Sequence, residues 1–394
     1  MIFQTFDDKE KCLLIYQDEK FHSSLDSLTL SATWSYANYL GDKDIEYAQL
    51  WAQGASLAEV CPSHLHRSLR AVEDRLKAFI RSCGEAKIDL NQICFYELVP
   101  ENFLREYAGI KNEIAHHILE TRERPLNYPH LLKIVKVISD IKYQRVALDL
   151  TKMNKGAIKD RNMFKTLSSC APYVAYDPFK TITGRLATKA KTFPALTLAR
   201  EYRNVVSPTN DWLFELDFNA AELRTALALL DEPQPTEDLH AWNITHIFDG
   251  ALDRETAKKR IFAWLYNPNS ADKEISRIYN RDKICDLYHK KGHVTTDFHR
   301  TLECDAFHAT NYVLQSTAAD VLFEQMYDVW EYLRDKKSFI KFCNHDSIMI
   351  DFANEDQLCI NPIKEIFSNT RYGKFKINCA GGKRWGSMRP MKVH

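Results

Sequence analysis

Two aspartates in the sequence each stand beside apolar runs that have the composition of buried β-strands. Asp217 lies near the end of Trp212–Phe218, and a stretch of strong helix formers follows it. Asp346 lies between two further apolar runs, residues 339–343 and 348–352, at or beside the turn of a predicted hairpin. An aspartate in such a setting is usually a helix N-cap or a turn former. Two carboxylates at sheet ends can instead bind a pair of Mg²⁺ ions for phosphoryl transfer, because hard cations prefer oxygen ligands.

A third segment, residues 253–268, has the pattern of a helix with cations and aromatic rings on one face. Asp253 has the residue type of an N-cap, and Pro268 is a stop signal. Because a helix turns by about 100° per residue, positions four apart share one broad face; here these are Arg254, Lys258, Phe262 and Tyr266. Such a face suits a triphosphate followed by a base. The spacing fits an amphipathic surface helix equally well.

Helical periodicity dominates the first 150 residues. We expect two short strands at residues 2–6 and 12–16, followed by helices over residues 64–82, 101–122 and 128–154. The sequence contains ten cysteines without metal-binding spacing, and the N-terminus lacks the pattern of a signal peptide. No apolar run is long enough to span a membrane. We therefore expect a cytoplasmic protein with reduced cysteines and no membrane partner.

The charges of the chain cancel, with 53 Lys and Arg residues against 53 Asp and Glu residues. This sum argues against a nucleic-acid partner, but the distribution of the charges does not. Residues 152–203 contain eleven basic and three acidic residues, and the last twenty-eight residues contain seven basic residues and no acidic one. Two basic segments in a neutral chain favour a local phosphate-binding surface.

Five motifs occur in an order that resembles family A (DNA polymerase I-like) DNA polymerases, whose patterns are TGRL, DYSQIELR, RRxAKxxxFGxxYG, QGTAAD and HDE. The motifs in this chain are TGRL at 183–186, DFNAAELR at 217–224, residues 254–266, QSTAAD at 315–320 and His345-Asp346. The resemblance covers roughly residue 152 to the end of the chain. It implies an α+β right-hand fold of palm, fingers and thumb with a small N-terminal extension.

The resemblance also implies domain boundaries. We expect an N-terminal extension (1–60), a mainly helical thumb (61–170), a first palm segment (171–240), fingers (241–304) and a second palm segment (305–394). The residues ahead of the thumb are too few for a 3′–5′ exonuclease domain of typical size. We therefore expect a compact phage-type enzyme without proofreading of its own.

The implied activity is extension of a primer 3′-hydroxyl on a DNA template with dNTPs. Two Mg²⁺ ions serve as cofactors, with Mn²⁺ able to substitute, and a separate nuclease, helicase or processivity subunit is a further expected partner. By resemblance, Asp217 and Asp346 bind the metals. The residues matching dNTP contacts are His240, Arg254, Lys258, Phe262, Tyr266 and Glu222, of which Glu222 excludes ribonucleotides. Those matching primer–template contacts are Arg185, Asn311, Gln315 and His345.

Several positions depart from the family patterns. Ser347 replaces the Glu of HDE, a change also found in single-subunit phage-type RNA polymerases. An RNA polymerase or primase-like enzyme is therefore an alternative, although Glu222 argues against it. Asn219 and Ala220 replace Ser-Gln in the first aspartate motif, and Ala263 and Asn267 replace two glycines in the helix motif. A catalytically silent DNA-binding homologue is the third hypothesis, which the complete set of metal and triphosphate residues disfavours.

Overall fold

The computed structural model describes residues 1–153, 156 and 158–391, and its contacts divide the chain into two compact units. The N-terminal unit is Met1–Tyr143 and the C-terminal unit is Gln144–His394. Both units mix helices and strands, which confirms the mixed class of the predicted fold. The finer division into extension, thumb, palm and fingers stays a prediction.

The N-terminal unit is built mainly on helix packing. Its strands are β1 (Gln4–Thr5), β2 (Ile15–Gln17), β3 (Lys20–His22), β4 (Ala32–Thr33) and β5 (Glu46–Tyr47). Its helices are α1 (Ala48–Trp51), α2 (Leu57–Val60), α3 (His66–Glu85), α4 (Glu101–Thr121) and α5 (Tyr128–Ile141), with 3₁₀ turns at Glu10–Cys12, Asn38–Leu40, Ser63–Leu65 and Phe95–Leu98. Apolar side chains of α3 and α4, such as Leu69, Phe103 and Ile114, form its core.

Two expectations for this part of the chain are wrong. Helix α5 ends at Ile141, not at residue 154, which itself lies outside the described residues. The chain leaves the helix because Ala147–Leu148 pairs with the distant strand Val206–Ser207, a long-range contact that periodicity cannot reveal. Cys12 and Cys94 form a disulfide across 82 residues, so the expectation of reduced cysteines fails for this pair. The other eight cysteines are free.

The C-terminal unit is organised around one antiparallel sheet. Its strands are β6 (Ala147–Leu148), β7 (Tyr176–Asp177), β8 (Ala187–Thr188), β9 (Val206–Ser207), β10 (Trp212–Phe218), β11 (His289–Lys290), β12 (His293–Thr295), β13 (Thr301–Glu303), β14 (Phe339–Asn344), β15 (Ser347–Phe352), β16 (Asn369–Thr370), β17 (Gly373–Lys374), β18 (Ile377–Gly382) and β19 (Arg389–Pro390). The order of the sheet is β14-β15-β10-β18-β19. Strand β10 and the β14–β15 hairpin were both predicted, and they share this sheet.

Helices of the C-terminal unit flank the sheet and form a second core. They are α6 (Ile158–Ser169), α7 (Ala221–Leu229), α8 (Leu239–Phe248), α9 (Arg254–Tyr266), α10 (Lys273–Ser276), α11 (Arg281–Tyr288), α12 (Ala306–Leu333) and α13 (Ile360–Ser368). Short 3₁₀ segments lie at Leu150–Lys152, Arg200–Val205, Asn354–Cys359 and Trp385–Ser387. Buried side chains from α7, α9 and α12, including Leu223, Ile261 and Val313, pack in one cluster. None of the helices within the described residues is long and apolar enough to cross a membrane.

Gly184 lies against a buried ion pair that connects distant parts of this unit. The Arg300 guanidinium donates to Asp320 on α12, with Nη2–Oδ1 and Nε–Oδ2 distances of 2.6 and 3.0 Å. Gly184 has a φ of +76°, and a Cβ added there would come within 2.3 Å of the Arg300 guanidinium carbon. A residue without a side chain is therefore required at position 184.

Candidate active site

Asp217 is held near the end of the central strand. Strand β10 pairs on both sides, and Asp217 is in register with Ser347 on β15 and Asn378 on β18. Because side chains alternate along a strand, Glu215 and Asp217 share one face while Leu216 is buried on the other. The Asn378 side-chain amide donates to Asp217 Oδ2 at 3.1 Å. The carboxylate thus keeps lone pairs for a ligand.

Asp346 reaches the same place through the tight turn of the β14–β15 hairpin. His345 adopts a left-handed φ of +53°, which turns the chain between the two strands. The Phe218 amide donates to the carbonyl of Asp346 at 3.2 Å, so the turn is tied to the end of β10. Asp217, His345 and Asp346 line one open pocket of about 360 Å³. The structure therefore brings together the two carboxylates that the sequence singled out.

The electrostatics of the pocket favour a positive ligand. Burial, together with the negative charges of Glu215 and Asp346, raises the pKa of Asp217 to about 6, although the hydrogen bond from Asn378 lowers it. Like charges close together disfavour ionisation, and a bound cation reverses that preference. The arrangement can therefore bind a divalent cation through carboxylate oxygens.

Glu222 is the centre of a second cluster beside the aspartates. It lies in the first turn of α7, where its two carboxylate oxygens accept from the Arg185 guanidinium and the Tyr266 hydroxyl. Burial, and then the charge of Glu222, raise the pKa of Tyr266 above its usual range, so its hydroxyl stays protonated. Phe262 lies one turn earlier on α9, with ring centroids 5.8 Å apart. Arg185 and Asp346 line a common pocket, which joins this cluster to the carboxylates.

The predicted cationic face forms a third group. Helix α9 has the predicted bounds and its predicted cap, because Asp253 accepts from the amides of Glu255 and Thr256. Arg254 pairs with Asp238, which caps helix α8 two residues before His240. Burial, and then the positive charges of Arg254 and Lys258, lower the pKa of His240. His240 is buried, and its Nδ1 atom has no hydrogen-bond partner among the described residues.

Asp238 and Asn219 connect this cationic group to strand β10. Asp238 accepts from both terminal nitrogens of Arg254, at 2.5 and 3.1 Å. Asn219 follows β10 directly, donates to Asp238 Oδ2 at 2.8 Å and accepts from the Leu239 amide at 2.9 Å. Asn219 therefore ties the start of α8 to the strand that carries Asp217.

The last two predicted residues, Asn311 and Gln315, lie half-buried one turn apart on α12. The Asn311 Oδ1 atom is buried and has no hydrogen-bond partner among the described residues. Their position on one helix face agrees with a joint role. Their contact with DNA stays a prediction.

The carboxylate pocket is also lined by four charged or amide side chains that were not predicted: Arg203, Glu215, Asn344 and Asn378. Only Glu215 had a visible signal, because it lies two residues before Asp217 on a predicted strand and must share its face. Asn344 is buried in this pocket, and its Oδ1 atom has no partner among the described residues. Nowhere in the described chain do three or more His, Cys, Asp or Glu side chains already stand close enough together to hold one metal ion.

Comparisons with known proteins support the fold but not a family assignment. No protein-family profile and no curated protein matches the chain. Solved structures do match, across 128 chains. One is the POL domain of Pol1 from M. smegmatis in complex with DNA primer-template and dNTP, with a TM-score of 0.58 and 13% identity over 73% of this chain and 76% of that chain. The chain is thus similar in fold to a DNA polymerase domain.

Proposed function

We propose that the chain is a template-directed DNA polymerase that extends a primer 3′-hydroxyl with dNTPs by a two-metal-ion nucleotidyl transfer. The observation that carries the proposal is the convergence of Asp217 and Asp346 in one open pocket at the end of the central sheet. The likeness of the fold to a domain solved with primer-template and dNTP supports the substrate class. Assignment to family A, in a phage-type form, rests on the five ordered motifs.

The donor set of the pocket fits a divalent cation. Asp217 and Asp346 would hold Mg²⁺, or Mn²⁺ in its place, through carboxylate oxygens, and the Asn344 Oδ1 atom offers a further unpaired oxygen. When bound, two such ions supply positive charge that stabilises the attacking and leaving oxygens of an in-line displacement. The chain contributes a fixed pair of carboxylates, since both aspartates are held by backbone pairing of β10 with the hairpin.

The cationic group on α8 and α9 is proposed to bind the triphosphate. Arg254 and Lys258 would contact phosphate oxygens, because a guanidinium and an ammonium are strong donors to anions. His240 would add a contact through its unpaired Nδ1 atom. Arg254 now pairs with Asp238, and a triphosphate would compete for the same guanidinium.

The cluster at Glu222 is proposed to select the sugar and to position the base pair. Arg185 and Tyr266 hold the Glu222 carboxylate in place, and a carboxylate fixed beside the 2′ position would exclude a ribose hydroxyl. Phe262 would pack on the incoming nucleotide and Tyr266 at the template position. Arg185, Asn311, Gln315 and His345 would contact the primer–template duplex near its end.

We also propose that this chain does not remove mismatched nucleotides. Residues 8–10 form a D-x-E pattern of the kind that nucleases use for metal binding, but the Asp8 carboxylate already accepts from Lys142 at 2.8 Å and from Tyr143. A separate nuclease, helicase or processivity subunit would then supply the missing steps.

Primer extension on a defined template tests the proposal. The full chain is incubated with Mg²⁺ and either dNTPs or NTPs, on matched and mismatched primer termini. We expect template-dependent addition of dNTPs, no addition by Asp217→Ala, and unchanged addition by Glu355→Gln, a change at an exposed acid outside the pocket. The mismatched primer should stay intact.

Each alternative has its own outcome in this experiment. Preferential addition of NTPs would favour the RNA polymerase or primase-like enzyme. Salt-dependent DNA binding without extension would favour the silent homologue. An intact chain that adds no nucleotide and behaves like Asp217→Ala would overturn the proposed polymerase.

A further inference from the structure

Glu215 is an acid of the candidate site that neither the motifs nor the proposed function uses. It lies on the same face of β10 as Asp217, two positions earlier, and lines the same pocket as Asp217 and Asp346. Residues two apart on a strand are separated by roughly 7 Å, so its carboxylate acts on the same space as that of Asp217.

Ser347 connects Glu215 to the side chains that lie in register with Asp217 across the sheet, namely Asn344, Ser347 and Asn378. The Ser347 hydroxyl lies 3.0 Å from Glu215 Oε1 and 3.0 Å from the Asn344 carbonyl oxygen. A hydroxyl has a single proton, so it donates fully to only one of these two acceptors at a time. A longer acidic side chain at position 347 would compete for the space that the Glu215 carboxylate occupies. Position 347 carries no acid, and an acid on the neighbouring strand lies beside it.

Asn344 gives independent evidence that the pocket binds a ligand. Asn344 is in register with Ser347, is 8% exposed and lines the pocket. Its Oδ1 atom finds no hydrogen-bond donor among the described residues. A buried acceptor without a donor is costly, and a cation or a water molecule held by a cation would satisfy it.

Arg203 adds a positive charge to the pocket that holds the three acids. It lines the pocket together with Glu215, and its guanidinium carbon lies 4.3 Å from the centre of the Trp385 ring. Its Nε atom donates to the Leu198 carbonyl at 3.3 Å, which fixes the guanidinium in the wall. The pocket wall therefore carries a fixed positive charge beside the three acids.

We propose that Glu215 is a positioning residue for the divalent cation, supplying the third acidic charge of the site from β10 in place of position 347. It acts beyond the direct ligands, through its charge and through the Ser347 hydroxyl, because three acidic side chains are not gathered around one point within the described residues. The inference rests on the proposed function, since it assigns a role at the same metal site. Groups of this kind change metal affinity by about 10- to 100-fold.

Mn²⁺ binding to the full chain, measured from the spin-resonance signal of free Mn²⁺ without DNA or nucleotide, tests the role directly. Glu215→Gln keeps an oxygen for Ser347 and removes only the charge, and we expect it to weaken Mn²⁺ binding about 10-fold. Its melting temperature should not fall, because the change is isosteric. Glu355→Gln is the matched control and should bind Mn²⁺ like the unmodified chain.

A relocation variant separates the proposed role from a merely structural one. Glu215→Ser should weaken Mn²⁺ binding, and adding Ser347→Glu to it should restore binding to within about threefold, because the charge returns from the neighbouring strand. Unchanged Mn²⁺ binding by Glu215→Gln, or a relocation variant no better than Glu215→Ser, would overturn the inference.

The same measurements distinguish failure of the inference from failure of the proposed function. Extension that depends on Asp217, together with Mn²⁺ binding that ignores Glu215, contradicts the inference alone. Mn²⁺ binding that depends on both Asp217 and Glu215, in a chain that extends no primer, supports the role at the metal site and contradicts the polymerase.

Discussion

The two ends of one sheet face carry aspartates in opposite situations. Asp351 is fully buried and accepts from the amides of Thr209 and Asn210, at 2.7 and 2.8 Å, and from the ammonium of Lys341. Asp217 lies on the neighbouring strand at the other end of that face and accepts only from Asn378 among the described side chains. One carboxylate is saturated by the chain, and the other keeps its capacity for a ligand.

This difference shows that unused hydrogen-bonding capacity, and not the presence of an acid, marks the candidate site. Both aspartates end an apolar strand in the same way, as Leu216-Asp217-Phe218 and Ile350-Asp351-Phe352. Local sequence therefore cannot tell them apart. The distinction comes from donors that the fold brings from elsewhere, Lys341 to one and a single amide to the other.

The largest effect on activity is expected at Asp217, whose carboxylate is open to a ligand. Asp217→Asn should lower the rate of primer extension by about 10³-fold or more, because metal binding supplies several kcal/mol to the transition state. It should leave the melting temperature unchanged or higher, since burial and neighbouring acids already raise the pKa of this carboxyl to about 6. Extension rates and thermal unfolding measure the two effects. A large loss of stability would remove the contrast with Asp351.

Substitution of Asp351, whose carboxylate is saturated by donors of the chain, should mainly change stability. Asp351→Asn leaves the Lys341 ammonium buried without its charge partner and should cost about 4 kcal/mol of unfolding free energy. Denaturant unfolding measures it. Combining Lys341→Met with Asp351→Leu should recover much of the loss, because no charge then remains buried. An Asp351→Asn variant as stable as the unmodified chain would contradict the assignment of this pair as structural.

Lys111 on α4 sharpens the comparison, because it is a buried lysine whose neighbours are the Thr5 carbonyl at 3.5 Å and the Tyr107 ring. Burial lowers the pKa of Lys111 from 10.5 to about 8. Between these values the unfolded chain binds more protons than the folded chain, so stability should rise with pH.

Lys111→Met should stabilise the N-terminal unit by roughly 2 kcal/mol at pH 7 and remove this dependence. Denaturant unfolding at pH 7, 8 and 9.5 tests it, in a range below the ordinary ionisation of tyrosine. Lys341→Met is the matched comparison, and it should destabilise because it leaves Asp351 without its cation. If Lys341→Met also stabilised the protein, the ion pair with Asp351 would not determine whether a buried lysine is stabilising.

Glu222 is intermediate between Asp217 and Asp351. Its carboxylate oxygens accept from Arg185 and Tyr266, but it lies beside the candidate active site. Glu222→Ala should reduce discrimination against ribonucleotides by about 10-fold, through loss of about 1.4 kcal/mol of steric and electrostatic exclusion. Incorporation of a single NTP against its dNTP measures it. Tyr266→Phe keeps the carboxylate and should preserve most of the discrimination; equal losses in both variants would assign selection to the tyrosine contact.

The features predicted from sequence are those set by local rules. Strand β10 and helix α9 have the predicted bounds because apolar alternation, the Asp253 cap and the Pro268 stop all act within a few residues. Features that depend on distant partners were missed. Asn378 reaches Asp217 only through the register of β18, and the Cys12–Cys94 bond joins positions that share no spacing motif.

Gly184 has a consequence for how this sequence can vary. Its missing side chain makes room for the Arg300 guanidinium, which Asp320 holds in turn, so three segments far apart in the chain form one constraint. A deep mutational scan of the chain should find position 184 intolerant of every larger residue. The same scan in a background carrying a small residue at position 300 should find alanine less harmful at 184, which would appear as epistasis between positions 116 residues apart.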